Sequence, residues 1–231
     1  MTPSTTPKAS LLLSAKNLTC IRQDRLLFDA LSFDVFAGDI IQVEGPNGSG
    51  KTSLLRILTG LSQPYEGQVL FQSTATHNKE NLQAITRYRE EYQQNLLYFG
   101  HLSGIKGEMT VEENLSFNIA LHGDNTDGQA QALTNVNLMG FEDNLASNLS
   151  AGQHRRTALA RLYQSNAPIW ILDEPFTAID KQGVSDLEAL FLAHAQRGGC
   201  IILTTHQDLS ALANTQLKKI TLDYSNDIAF D

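Results

Sequence analysis

Gly45-Pro46-Asn47-Gly48-Ser49-Gly50-Lys51-Thr52 follows the pattern G-x-x-x-x-G-K-[ST], and the apolar run Ile40-Ile41-Gln42-Val43 stands directly before it. Residues of these types in this order suit the binding of phosphate. The glycines let the backbone curl so that successive N–H groups point inward, and the helix predicted over Thr52 to Leu61 presents its positive end. Lys51 is placed to reach the β- and γ-phosphates of a nucleoside triphosphate, and Thr52 to offer a hydroxyl to Mg²⁺. The expected phosphate-contacting residues are Gly45, Pro46, Asn47, Gly48, Ser49, Gly50, Lys51, Thr52 and Ser53. A chance glycine-rich turn is the competing reading, and the position between a strand and a helix argues against it.

Three further strings carry polar groups at element ends. Leu149-Ser150-Ala151-Gly152-Gln153 leads into a helix predicted over His154 to Tyr163. By itself it is either a serine-capped helix or a second anion site. Ile169-Trp170-Ile171-Leu172-Asp173-Glu174-Pro175 is a continuous apolar run ending in two acids, the pattern of a buried parallel strand whose carboxylates emerge at the crevice of an open α/β sheet. A solvated turn would use the same residues. His206 ends the run Ile201-Ile202-Leu203-Thr204-Thr205, and Asp180 is able to cap a following helix.

Taken together, these strings resemble the ATP-binding-cassette (ABC) ATPases, whose LSGGQ signature differs from Leu149–Gln153 at one position. The match runs from about residue 14 to about residue 222. The resemblance implies an α/β fold: a P-loop NTPase cassette with a RecA-like core, an antiparallel β subdomain and an inserted helical subdomain at about 101–165. Residues 1–13 would be a disordered lead and 223–231 a tail. ATP and Mg²⁺ are the implied cofactors, with Thr52 and Asp173 at the metal, the latter through its water shell. Glu174 would orient the attacking water, His206 would touch the γ-phosphate, and Lys51 completes the catalytic set. Ser150, Gly152 and Gln153 would cap the nucleotide of a second copy in trans, and Asp180 would communicate between the two sites.

Two positions depart from the family pattern. Counting nine residues back from Thr110, in the stretch Thr110-Val111-Glu112-Glu113-Asn114, reaches His101 where the family has a glutamine that contacts Mg²⁺ and water. The aromatic that usually stacks on adenine is also missing. Arg22 falls nearest its place and could stack its guanidinium on the base, or could be a solvated strand-end arginine.

The longer strings resemble one branch, the ATP-binding subunit of the haem exporter in bacterial cytochrome c maturation. They are Glu44 to Leu61, Gly100-His101 followed by Gly104-Ile105-Lys106, and the stretches around Ser150, Asp173 and His206. The resemblance implies transmembrane subunits and a second copy as partners, haem handled by those partner chains, and a peripheral place on the cytoplasmic face of the bacterial inner membrane. An ATPase for another transporter, of amino acids or drugs, or a soluble non-transport ABC protein, remains the alternative. No residue reads as a haem ligand: His77, His122, His154 and His194 are expected at the surface, and the groove near His101 to Phe117 is expected to receive a membrane subunit.

Composition narrows the classes. The 231 residues carry a formal net charge of −8, which argues against nucleic acid as a partner. No run approaches the ~20 apolar residues that span a bilayer. Two cysteines without paired spacing, Cys20 and Cys200, and the absence of a signal-like segment are expected of reduced thiols in the cytoplasm. Strands are predicted at Leu26 to Phe36, Asp39 to Glu44, Leu96 to Phe99, Pro168 to Asp173, Cys200 to Thr204 and Lys219 to Leu222, alternating with helices.

Overall fold

The computed structural model describes residues 9–73, 82–122, 127–207, 209, 212 and 217–223. The central strands of the core sheet are apolar because both of their faces are covered. β3 (Ile40–Glu44), β6 (Leu96–Phe99), β7 (Ile169–Asp173), β8 (Cys200–Thr204) and β9 (Leu217–Thr221) form a sheet in the order β6-β7-β8-β3-β9. All of its pairings are parallel. Every residue of β7 and β8 is buried, as a parallel sheet between two layers requires.

A second, antiparallel sheet has the order β2-β1-β4-β5, from β1 (Leu11–Arg22), β2 (Arg25–Phe36), β4 (Glu66–Gln72) and β5 (Leu82–Ala84). Gln23 and Asp24 join β1 to β2 with φ of 50° and 59°, the two left-handed residues that a tight hairpin needs. Helix α1 (Lys51–Leu58) lies between the sheets and buries Leu54, Leu55, Ile57 and Leu58 against Leu13, Val35, Val43 and Ile171.

The chain between β6 and β7 is helical. It holds α3 (Val111–His122), α4 (Gln129–Asn135), α5 (Ala151–Ala160) and a 3₁₀ turn over Arg161–Tyr163, after the short α2 (Arg89–Gln94) that precedes β6. Val111, Leu115 and Ile119 recur on one face of α3 and pack with Leu133, Leu138, Leu159 and Leu162. A capping box starts that helix: Glu113 N–H donates to Thr110 Oγ1 (3.1 Å) and Thr110 N–H to Glu113 Oε2 (2.8 Å). Helix α6 (Lys181–Gln196) belongs to the same apolar cluster through Leu187 and Phe191.

Several sequence expectations need correction. Leu11–Leu13, assigned to a disordered lead, open β1, and Leu13 is fully buried; residues 1–8, 224–231 and His77 lie outside the described residues, as does the side chain of His122. The phosphate-loop helix ends at Leu58, with Gly60 at φ 73° closing it, rather than at Leu61. β9 begins two residues before its predicted start and ends one residue before its predicted end. His194 is not at the surface: it continues the buried face Leu187–Phe191 of α6, and its ring stacks on Trp170 at 3.8 Å and 14°. Burial pulls its pKa down to about 4, and the Arg197 charge pushes the same way against a Pro168 carbonyl contact that raises it. His154 is half-buried, and Cys20 and Cys200 are buried and unpaired.

Candidate nucleotide site

β3 delivers the loop at the carboxyl edge of the parallel sheet, where α1 begins. Gly45, Gly48 and Gly50 have φ of 148°, 83° and 100°, so the turn uses backbone that other residues rarely adopt. A Cβ at Gly45 would also collide with the Leu222 carbonyl and with Ser49 Oγ. Gly50 caps α1 with no side-chain bond, and no acid stands in the first turn, which leaves that positive end to an anion. Lys51 Nζ donates to the carbonyls of Gly45 (2.7 Å) and Pro46 (3.1 Å), folding back over the loop it is meant to serve. Ser49 Oγ is buried without a partner.

β7 brings the acids to the same edge. Asp173, 2% exposed, accepts from Thr52 Oγ1 (3.1 Å) and Thr204 Oγ1 (2.7 Å), so strand end and loop helix are joined through one carboxylate. A hydroxyl beside a carboxylate is a donor set for a hard, oxygen-seeking cation that shares its remaining ligands with phosphate and water. Among the described residues no group of three or more His, Cys, Asp or Glu is arranged to hold a metal unaided.

Glu174 sits at φ 51°, in the left-handed region, with its N–H donating to Thr204 O (3.2 Å) and Oγ1 (3.0 Å). Such a conformation in a non-glycine residue costs energy and persists where the surroundings fix it, commonly at functional sites. Its Oε1 lies 3.5 Å from His206 Nε2.

These groups face one cavity of about 360 Å³, lined on one side by Asn47, Lys51 and Thr52 and on the other by Asp173, Glu174 and His206. His101 and Arg22, the two departures from the family pattern, line it as well. A second depression shares Arg22, Thr52 and Ser53 and continues toward Arg56 and Gln63. A groove of about 510 Å³ between the end of α1 and β4 contains none of these residues.

The remaining predicted residues are elsewhere on this copy. Ser150 caps α5 in a capping box, its Oγ accepting from Gln153 N–H (3.3 Å) while Gln153 Oε1 accepts from Ser150 N–H (2.9 Å), and neither they nor Gly152 line the cavity. Asp180 caps α6 through Gly183 N–H at 2.8 Å. The sequence reading missed Thr204 and Arg155. Thr204 stands at a strand terminus, the signal that located Asp173. Arg155 lies in a basic run, His154-Arg155-Arg156, that looks solvated, yet it is buried; burial lowers its pKa, and pulls that of Arg161 down to about 10.

Residues 28–177 match the ABC transporter family. The chain belongs to it. Its relatives include a protein named "Cytochrome c biogenesis ATP-binding export protein CcmA" in Colwellia psychrerythraea, 69% identical over 220 residues, covering 95% of this chain and 96% of the relative. Proteins of that name in Shewanella frigidimarina and Vibrio cholerae are 59% and 53% identical, over 94% and 91% of this chain and 96% and 98% of theirs. Among solved structures, the ATP-binding subunit of an ABC transporter superposes with TM-score 0.78 at 21% identity, covering 91% of this chain and 85% of that one. A dimeric ATP-binding cassette holding ADP and Pi after hydrolysis superposes with TM-score 0.74 at 20% identity, covering 95% and 100%. At these identities the structural likeness establishes the ABC fold. No helix among the described residues of this ABC ATPase is long and apolar enough to cross a membrane.

Proposed function

We propose that this chain is the ATP-hydrolysing subunit of a membrane ABC complex for cytochrome c biogenesis, coupling the ATP cycle to haem export or to release of a haem-loaded chaperone. The observation that carries the proposal is the 69% identity to a CcmA protein over nearly the full length of both chains. The convergence of Lys51, Thr52, Asp173, Glu174 and His206 on one cavity supports turnover rather than binding alone.

The phosphates rest on the N–H groups of residues 47–52 with Lys51 turned from the loop carbonyls onto them. Thr52 and Asp173 would hold Mg²⁺, whose charge would neutralise that of the phosphates. Glu174 orients the attacking water and accepts its proton, and His206, on the far side of that carboxylate, contacts the γ-phosphate. Ser150, Gly152 and Gln153, away from this cavity in the same copy, fit a role across a head-to-tail dimer, where the α5 N-terminus would cap the opposite nucleotide. Arg22 stands at the base-binding end. Haem is handled by the membrane partners, the chain sits peripherally on the cytoplasmic face of the inner membrane, and nucleic acid has no part.

The test is a haem stain of c-type cytochromes in cells whose only copy carries Glu174→Gln, with membrane haem b as control. The expected result is loss of covalent haem with haem b intact. Normal staining with a mutant shown to be inactive would overturn the biogenesis role and leave an ABC ATPase serving another transporter.

A further inference from the structure

Arg155 projects from α5, one turn beyond Ser150, into the space between the ends of β6 and β7. It is 8% exposed, and its hydrogen-bond partners are main-chain carbonyls, none of them a carboxylate. One nitrogen, Nη1, donates to His101 O (3.1 Å) and more weakly to Gly100 O (3.4 Å); the other, Nη2, donates to Asp173 O (3.1 Å) and to Glu174 O. The guanidinium lies 4.2 Å over the Phe99 ring, and Nε is buried without a partner. A buried cation on an otherwise apolar helix face is costly, and it is met here by the two segments that carry His101 and the acidic pair.

We infer that Arg155 is a positioning residue for hydrolysis, binding the helix behind Ser150 to both catalytic segments so that water orientation, and not nucleotide binding, depends on its planar fork. The inference rests on the reading of Glu174 as the water-orienting acid. The peptide on the N-terminal side of the Glu174 Cα is held by Thr204, and the one on its C-terminal side by Arg155. With both peptides fixed, the Cα–Cβ direction of the left-handed Glu174 is fixed, and with it the point from which the carboxylate reaches into the cavity. The same fork holds the His101 carbonyl, setting the gap across which a water would be shared. A lysine at this position could satisfy one side at a time, because it lacks the two-nitrogen geometry. The phosphate loop makes no hydrogen bond to Arg155, so ATP affinity has no reason to change.

The experiment compares full-length parent, Arg155→Gln, Arg155→Lys and Glu174→Gln for steady-state ATP hydrolysis, fluorescent-nucleotide affinity and thermal melting. The expected result is a kcat on the order of tenfold lower or more in both Arg155 variants, as small misplacements of reacting groups produce, with KM and nucleotide Kd within about threefold of the parent. A purely structural arginine would lower melting temperature while leaving kcat per folded molecule unchanged. The inference is overturned if kcat of either folded variant stays within about threefold of the parent, if the loss appears in KM and Kd instead, or if neither variant melts cooperatively. Should Arg155→Gln alone fail to fold, Arg155→Lys decides. A parent no faster than Glu174→Gln would instead overturn the reading of the site itself.

Discussion

Acidification should weaken the fold through His194, by an amount that can be worked from its surroundings. Burial lowers the folded-state pKa from the ordinary 6.5 to about 4. The unfolded chain therefore binds the proton more tightly, and stability falls as pH drops through 6.5, levelling off below about 4. At pH 5 the linkage amounts to about 2 kcal/mol, and at pH 8 to nothing. His194→Phe keeps an aromatic ring against Trp170 and cannot take up a proton. Urea unfolding of both proteins at pH 8 and pH 5 isolates the effect from every other titrating group, since those are common to both. The parent should lose about 2 kcal/mol more than the variant between the two pH values. Equal losses would refute the assignment of a buried, neutral imidazole on β7. The site is involved because Trp170 lies three residues before Asp173 on the same strand.

Other outcomes follow from the same geometry. Thr204→Val removes a donor to buried Asp173 and an acceptor for Glu174 N–H, and should cost about 1–3 kcal/mol in chemical denaturation while slowing ATP turnover; unchanged turnover would show that this hydroxyl does not support the acids. His101→Gln should retain hydrolysis, because His101 lines the cavity and an amide there can accept from or donate to a water as an imidazole can; abolished hydrolysis with binding preserved would give the imidazole a role glutamine cannot fill. Phe117 is 37% exposed with Lys106 Nζ 4.2 Å from its ring centre, and Leu121, one turn further along α3, is 66% exposed. Phe117→Asp should reduce association with membrane subunits while leaving ATPase activity of the free chain, and unaltered co-purification would remove this surface from the docking account.

The parts of the molecule that could be read from sequence are those whose chemistry is local. Gly45–Thr52 contains its own turn, helix start and cation, and the apolar runs ending at Asp173 and at Thr205 mark strand termini without reference to any partner. β1 was harder to read because its alternation breaks at a register shift between Ala15 and Leu18, where Asn17 takes φ 50°. Its burial depends on β4 and on α1, which are remote in the chain. His194 was misplaced although Leu187, Phe191 and His194 recur at helical spacing; a histidine ending such a face can cap it or complete it, and only the position of Trp170 decides. Arg155 is hidden in the sequence for a similar reason, since a guanidinium between His154 and Arg156 reads as solvated until β6 and β7 are brought beside it.

The central claim is that one carboxylate, Glu174, turns a nucleotide-binding cavity into a hydrolytic one. Phosphate release by purified parent and Glu174→Gln, with nucleotide affinity measured on the same samples, tests it most directly. Retained ATP binding with turnover reduced about a hundredfold or more is the predicted result. Turnover equal to the parent's would contradict it and move the water-activating role to another group in the cavity.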